Sequence, residues 1–175
     1  STMAMIAAEE LGIPLETVSV TSADTEVTLD SGSSGGSKQT IGSGKAVQLA
    51  AADAKKQIFE IAAKELKTGK ENLEIRSGII YPVGSDKGIA ITDVLKKAPA
   101  TITGRGTASL PQGVVTYCFA AHFIEVEVDT LTGKVRVIKL VAAHDVGKTI
   151  NLLGSENQVD GGAIQGMGFG LTEDQ

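Results

Sequence analysis

The chain has no tryptophan, two tyrosines and four phenylalanines, so aromatics make up 3% of its 175 residues. The core must therefore be assembled largely from Ala, Val, Ile and Leu. A single cysteine, Cys118, excludes an internal disulfide and fits a reducing, cytoplasmic compartment. No apolar run approaches the roughly 18 residues needed to cross a bilayer. The start shows no basic, then apolar, then small-residue signal pattern, so the chain reads as soluble. Lys and Arg are nowhere concentrated, and the net charge is −5. A phosphate backbone finds no grip on such a chain, which argues against a nucleic-acid partner. Hydrophobic residues at 42% and charged residues at 21% are globular values, which excludes collagen, disulfide scaffolds and fully disordered chains.

The common catalytic motifs are missing as well. His122 lies in a strand pattern and His144 at a strand end, with no HExxH, CxxC or carboxylate cluster beside either, and both read as structural. There is no GxSxG elbow for a serine nucleophile. Cys118, between Tyr117 and Phe119, reads as a packed thiol. No catalytic residue and no metal ligand is assigned.

What the chain has in excess is glycine, 21 of 175 residues. Met3, Ile6, Ala7 and Glu10 predict a helix that Gly12 and Pro14 stop. Thr17–Val20 reads as a short strand, and residues 22–30 as extended polar chain. SGSSGGSKQTIGSG, residues 31–44, runs as a loop into a long helix over about Lys45–Lys67. On that helix Ala46, Ala50, Ala54, Ile58, Ile61, Ala62 and Leu66 form one stripe, whose small residues imply a neighbour at short range. Glu60 and Lys64 suit an i,i+4 pair, and Gly69 a C-terminal stop. Leu73–Arg76 and Ile79–Val83 predict a hairpin around Ser77-Gly78, and Thr92–Lys97 a short helix. Residues 104–113 read as loop. Tyr117–Asp129 and Lys134–Asp145 alternate as strands joined by a turn at Gly133, with Lys134 and Arg136 facing the acidic strand. The mixture gives an α+β class, antiparallel or mixed strands with packed helices in a two-layer, sandwich-like arrangement. The abrupt start and end point to an excised fragment, residues 1–175 as one piece with possible lobes at 1–98 and 100–175.

Two glycine-rich stretches carry the functional signal. Residues 31–44 fail the P-loop pattern, because Lys45 is followed by Ala46, and fail the dinucleotide fingerprint, because Val47 stands where a third Gly belongs. Composition permits a flexible linker. The N–H groups of Gly35, Gly36, Ser37 and Lys38, ahead of a helix N-terminus, also suit a phosphate or another polar ligand head. In NQVDGGAIQGMGFG, residues 157–170, a helix would place Gly162, Gly166 and Gly170 on one face, with Gly168 nearby. Four helical glycines cost roughly 3–4 kcal/mol relative to Ala. Close packing on a core and close approach of a ligand both supply a reason.

Four stretches together resemble the molybdenum-binding domain of the xanthine dehydrogenase and aldehyde oxidoreductase family, the molybdenum hydroxylases. They are Ala7-Ala8-Glu9-Glu10-Leu11-Gly12-Ile13-Pro14; then Asp24-Thr25, Gly35-Gly36-Ser37-Lys38-Gln39-Thr40 and Gly44-Lys45-Ala46-Val47; then Glu125–Asp129 with Thr132-Gly133; and Asp145-Val146-Gly147, Asn151, Gln158–Gly162 and Gln165–Gly168. Leu152 stands where many relatives have Pro, and Lys38 where Arg is frequent. The resemblance implies an oxidoreductase that oxidises C–H bonds of heterocycles or aldehydes with water as the oxygen source. It implies a molybdopterin, in bacteria usually the molybdopterin cytosine dinucleotide, with 2Fe-2S and FAD on other domains or subunits as partners. Gly35, Gly36, Ser37, Lys38 and Gln39 would approach the pterin and its phosphate, and Gln158 would donate a hydrogen bond near the molybdenum. The family's catalytic glutamate and a Gly-Gln-Gly segment fall outside the matched stretches. The resemblance thus implies part of a cofactor site, an inactive chain when isolated, and a fragment free to self-associate; the alternative reading of the same glycine loops is a non-catalytic nucleotide- or phosphate-binding module, or a structural subunit of a larger complex.

Overall fold

Alanines at i,i+4 spacing bring the first two helices together. Helix α1, Thr2–Leu11, buries Ala4 and Ala8, and helix α2, Gln39–Leu66, buries Gly44, Ala51, Ile58 and Ala62. Side chains this small let two helix backbones approach closely. The Lys55 ammonium fastens the pair by donating to the Glu10 carbonyl at 2.9 Å. The computed structural model describes residues 2–22, 24–30, 32–109, 113 and 117–174. The chain divides into two compact units, Ser1–Gln112 and Gly113–Gln175.

In the first unit, α2 is followed by strand β1 (Leu73–Arg76), strand β2 (Ile79–Pro82), strand β3 (Ile89–Ala90) and helix α3 (Ile91–Leu95). The antiparallel order is β1-β2-β3, with Arg76 opposite Ile79 and Ile79 opposite Ala90. Ser77 and Gly78 turn the first hairpin with φ of 48° and 78°, the left-handed pair that a two-residue turn requires. Ile58 and Ala62 from α2, Leu73 and Ile80 from the sheet and Val94 from α3 make the core. It is a helix layer on a sheet layer, built without aromatics at its centre.

The neighbour expected on the alanine stripe is the segment Ile102–Ala108. Its even-numbered residues are half-buried and its odd ones exposed, the alternation of an extended strap. A Cβ on Gly104 would overlap the carbonyl oxygen of Ala50, and one on Gly106 that of Ala46. Glycine is therefore required where the strap crosses α2. The side chains beneath also hold it: the Gln57 amide donates to the Thr103 carbonyl at 3.0 Å, and the Asp53 carboxylate accepts from the Arg105 N–H at 3.1 Å. The first unit therefore runs past Pro99, to Gln112.

Several local expectations need correction. Residues 15–17 form a 3-10 turn and no strand follows, because Thr17 donates its N–H and its hydroxyl back to the Pro14 carbonyl. Helix α2 starts at Gln39, six residues before Lys45, so Gln39–Gly44 is not loop. The left-handed residue at its end is Lys67, φ 52°, and not Gly69. Glu60 bonds Lys70 at 2.8 Å, not Lys64, and that ammonium holds the Glu60 carboxyl below its ordinary pKa.

The second unit consists of strand β4 (Phe119–Val128), strand β5 (Val135–Asp145) and helix α4 (Leu152–Leu171). The antiparallel hairpin closes at Asp129, whose N–H donates to the Lys134 carbonyl at 2.9 Å and whose carbonyl accepts from Gly133 at 2.7 Å. Arg136 lies opposite Glu127 and forms an ion pair with it; the Lys134 contact to that strand is the carbonyl one. The ladder shifts between Glu125 and Val126, where Glu125 pairs with Lys139 and Val126 with Val137. Ile138 is thus the extra residue of a β-bulge. Helix α4 begins under the Asn151 cap, whose side chain accepts from the Gly154 N–H at 3.1 Å. No residue described in this unit is buried; Cys118, expected as a packed thiol, is exposed.

Candidate functional site

Five of the six candidate site residues are contiguous. Asp30 orders the approach by accepting from the Gly32 N–H at 2.7 Å. Gly36 and Ser37 then take left-handed conformations, φ 62° and 57°, and Lys38 returns to the right-handed helical region as the residue before α2. Two consecutive left-handed residues reverse the chain abruptly, and the second is non-glycine, a combination that costs energy. Within the helix the Ser43 hydroxyl donates to the Gln39 side-chain carbonyl at 2.6 Å.

The hydrogen-bond pattern decides what this turn can do. The first helical bond runs from the Gly42 N–H to the Lys38 carbonyl at 2.8 Å, and no side chain caps the helix start. The N–H groups of Gln39, Thr40 and Ile41 therefore point out of a 28-residue helix with its positive dipole end behind them. Gly35, Gly36 and Ser37 are exposed, and a Cβ on either glycine would meet nothing within 4 Å. A ligand oxyanion or carbonyl can reach this backbone directly. The donor set fits a phosphate and the polar edge of a pterin.

Gln158, the sixth residue, belongs to the second unit. It is exposed on α4. The glycines around it face open space: a Cβ at Gly161, Gly162, Gly166 or Gly170 would meet nothing within 4 Å. Close packing on a core within this chain is thus not their reason among the described residues. The helix ends at its Thr172 cap, where the N–H groups of Thr172 and Glu173 both donate to the Gly168 carbonyl at 2.9 Å.

One pair was not legible in the sequence. His122 and His144 meet with Nε2 to Nε2 at 2.7 Å. Among the described residues no group of three or more His, Cys, Asp or Glu is placed to hold a metal ion, and no helix is long and apolar enough to cross a membrane.

A family model described as a molybdopterin cofactor-binding domain matches residues 1–175. The chain is 29% identical over 187 residues to the nicotine 6-hydroxylase large subunit of Paenarthrobacter nicotinovorans, covering 99% of this chain and 22% of that one. It is 31% identical over 176 residues to the aldehyde oxidoreductase of Megalodesulfovibrio gigas, covering 94% of this chain and 17% of the relative. The crystal structure of quinoline 2-oxidoreductase from Pseudomonas putida 86 superposes with a TM-score of 0.75 at 26% identity, over 92% of this chain and 22% of that one. The α+β fold and the whole-length match agree: the chain belongs to the molybdopterin cofactor-binding domain family of the molybdenum hydroxylases. It spans under a quarter of the length of these relatives.

Proposed function

We propose that this chain is the cofactor-cradling part of a molybdenum hydroxylase that oxidises C–H bonds of heterocycles or aldehydes, taking oxygen from water. The reading is supported by the uncapped start of α2 behind the Gly36–Ser37 reversal, within a chain that matches the family from end to end. Relatives named for nicotine, quinoline and aldehydes support those substrate classes. The N–H groups at Gly35–Gln39 hold the phosphate and pterin edge of a molybdopterin cytosine dinucleotide. Gln158 would donate its amide toward the metal's ligands, and the open glycine face of α4 would let a cofactor approach backbone. When bound, the molybdenum centre supplies a two-electron oxidation. The chain's own part is grip and orientation; we assign no catalytic residue to it, and place the base, the 2Fe-2S clusters and FAD on other parts or subunits of a larger enzyme. This reading places the enzyme in the cytoplasm.

The test is a titration of the isotope-labelled chain with cytidine diphosphate and, separately, inorganic pyrophosphate, followed by amide NMR. The expected result is saturable shifts concentrated at Gly35–Thr40. Shifts confined to surface lysines elsewhere, or none, overturn the assignment of the loop. The purified chain should also lack stoichiometric molybdenum and reduce no dye with xanthine, nicotinate or aldehydes. Turnover by the chain itself would contradict the division of labour.

A further inference from the structure

We propose that His122 and His144 form a two-imidazole site for a late first-row divalent cation, copper(II) first among them. The two residues lie on neighbouring strands, where Ala120 pairs with His144 and His122 with Ala142. They are therefore diagonal neighbours on one face of the hairpin, with Ala142 and Ala120 across the ladder from them. Their ring centroids are 4.9 Å apart, their planes meet at 60° and both side chains are exposed.

The bulge is what makes the pair. Were Ile138 paired opposite Glu125 instead of bulged out, the register set by Val128 and Val135 would place Val141 opposite His122. His144 would then point to the other face, since a one-residue slip exchanges the faces.

The geometry selects the ion. At 2.7 Å the two Nε2 atoms share one proton, one ring donating and the other accepting. A metal takes that place once the donor ring moves its proton to Nδ1, so both lone pairs face a common point and no proton is lost. Metal–imidazole bonds of about 2.0–2.1 Å put adjacent ligands about 2.9 Å apart at a right angle and about 3.3 Å apart at a tetrahedral one. The observed separation lies nearer the right-angled, tetragonal case, which copper(II) and nickel(II) favour. Copper(II) also heads the affinity order for nitrogen sites. Water completes the coordination. Calcium and magnesium, which require oxygen ligands, are excluded.

The chain has two histidines, which makes the experiment clean. Copper(II) sulfate is added to the 175-residue chain at neutral pH, and copper binding, its electron paramagnetic resonance spectrum and the histidine ring protons are followed. The expected result is one copper per chain with two equivalent imidazole nitrogens, and joint broadening of both rings at substoichiometric metal. Either His122→Gln or His144→Gln should weaken binding at least tenfold and leave a single nitrogen coupling. Magnesium should leave both rings unmoved. If a variant misfolds, the nitrogen count in the unsubstituted chain decides. One nitrogen or none there, or an affinity unchanged in folded variants, overturns the site.

Discussion

The two units of this chain solve the burial problem differently. The first encloses Ile58, Ala62, Leu73, Ile80 and Val94 between helix and sheet, with Ile80 and Val94 fully shielded. The second has a longer hairpin and a 20-residue helix, yet none of its described residues is buried. Phe119 is 72% exposed, Phe123 69% and Leu153 68%. A two-stranded hairpin is marginal in water unless a helix packs over it, and here every described residue of hairpin and helix keeps some exposure. The lesson is that similar apolar content builds a platform in one unit and an unspent surface in the other.

The sharpest way to break this comparison is a pair of truncations. Ile80→Ala, at a fully buried site, should cost about 2–5 kcal/mol in denaturant unfolding of the first unit. Phe123→Ala should shift stability by less than about 0.5 kcal/mol. Equal costs would show that the second unit has a core after all. Glycines should also respond oppositely in the two units. Gly106→Val drives a side chain into the α2 backbone and should cost about 1–3 kcal/mol. Gly162→Ala meets open space and should strengthen α4 by about 0.8–1.0 kcal/mol, read as added helicity. If the proposed cofactor approach is right, that same alanine impairs cofactor retention in the complete enzyme.

The smallest expected effect concerns acid. The Asp129 carboxylate accepts from the Thr132 hydroxyl at 2.7 Å and from the Leu131 N–H at 2.9 Å. These bonds favour the charged form and hold its pKa below the ordinary 3.8. Its stabilising contribution is thus fully present above that value and is lost as pH falls through the lower folded value. Acidification in that window should loosen the β4–β5 turn, seen in the Leu131 and Thr132 amide signals, while Asp129→Asn should show a flatter response. A turn indifferent to pH there would remove Asp129 from its role.

Local patterns made the hairpins, α2 from Lys45 onward and the glycine-rich helix legible. Each rests on spacing within a few residues or on a turn such as Ser77-Gly78. Legibility failed where tertiary contacts overrode composition. Gln39–Gly44 looks like loop because Gly and Ser disfavour helix, yet Gly44 is buried against Ile6 of α1. The strap from Ile102 declares itself only through the α2 backbone beneath it. The histidine pair depends on a bulge that alternation does not reveal. At the candidate site, the sequence named the Gly35–Gln39 segment but misplaced the helix start inside it. Leu152, the departure from the family's Pro, occupies the first position of α4, where proline is ordinarily tolerated.

Amide hydrogen exchange on the isolated 175-residue chain tests the contrast most directly, because it reads opening free energy residue by residue. Amides in the middle of α2 and in β1 and β2 should exchange only at the rate of global unfolding. Those of β4, β5 and α4 should exchange orders of magnitude faster, with Gly35–Ser37 faster still. Equal, global-level protection in both units would contradict the account, since it would require the second unit to possess a buried core of its own.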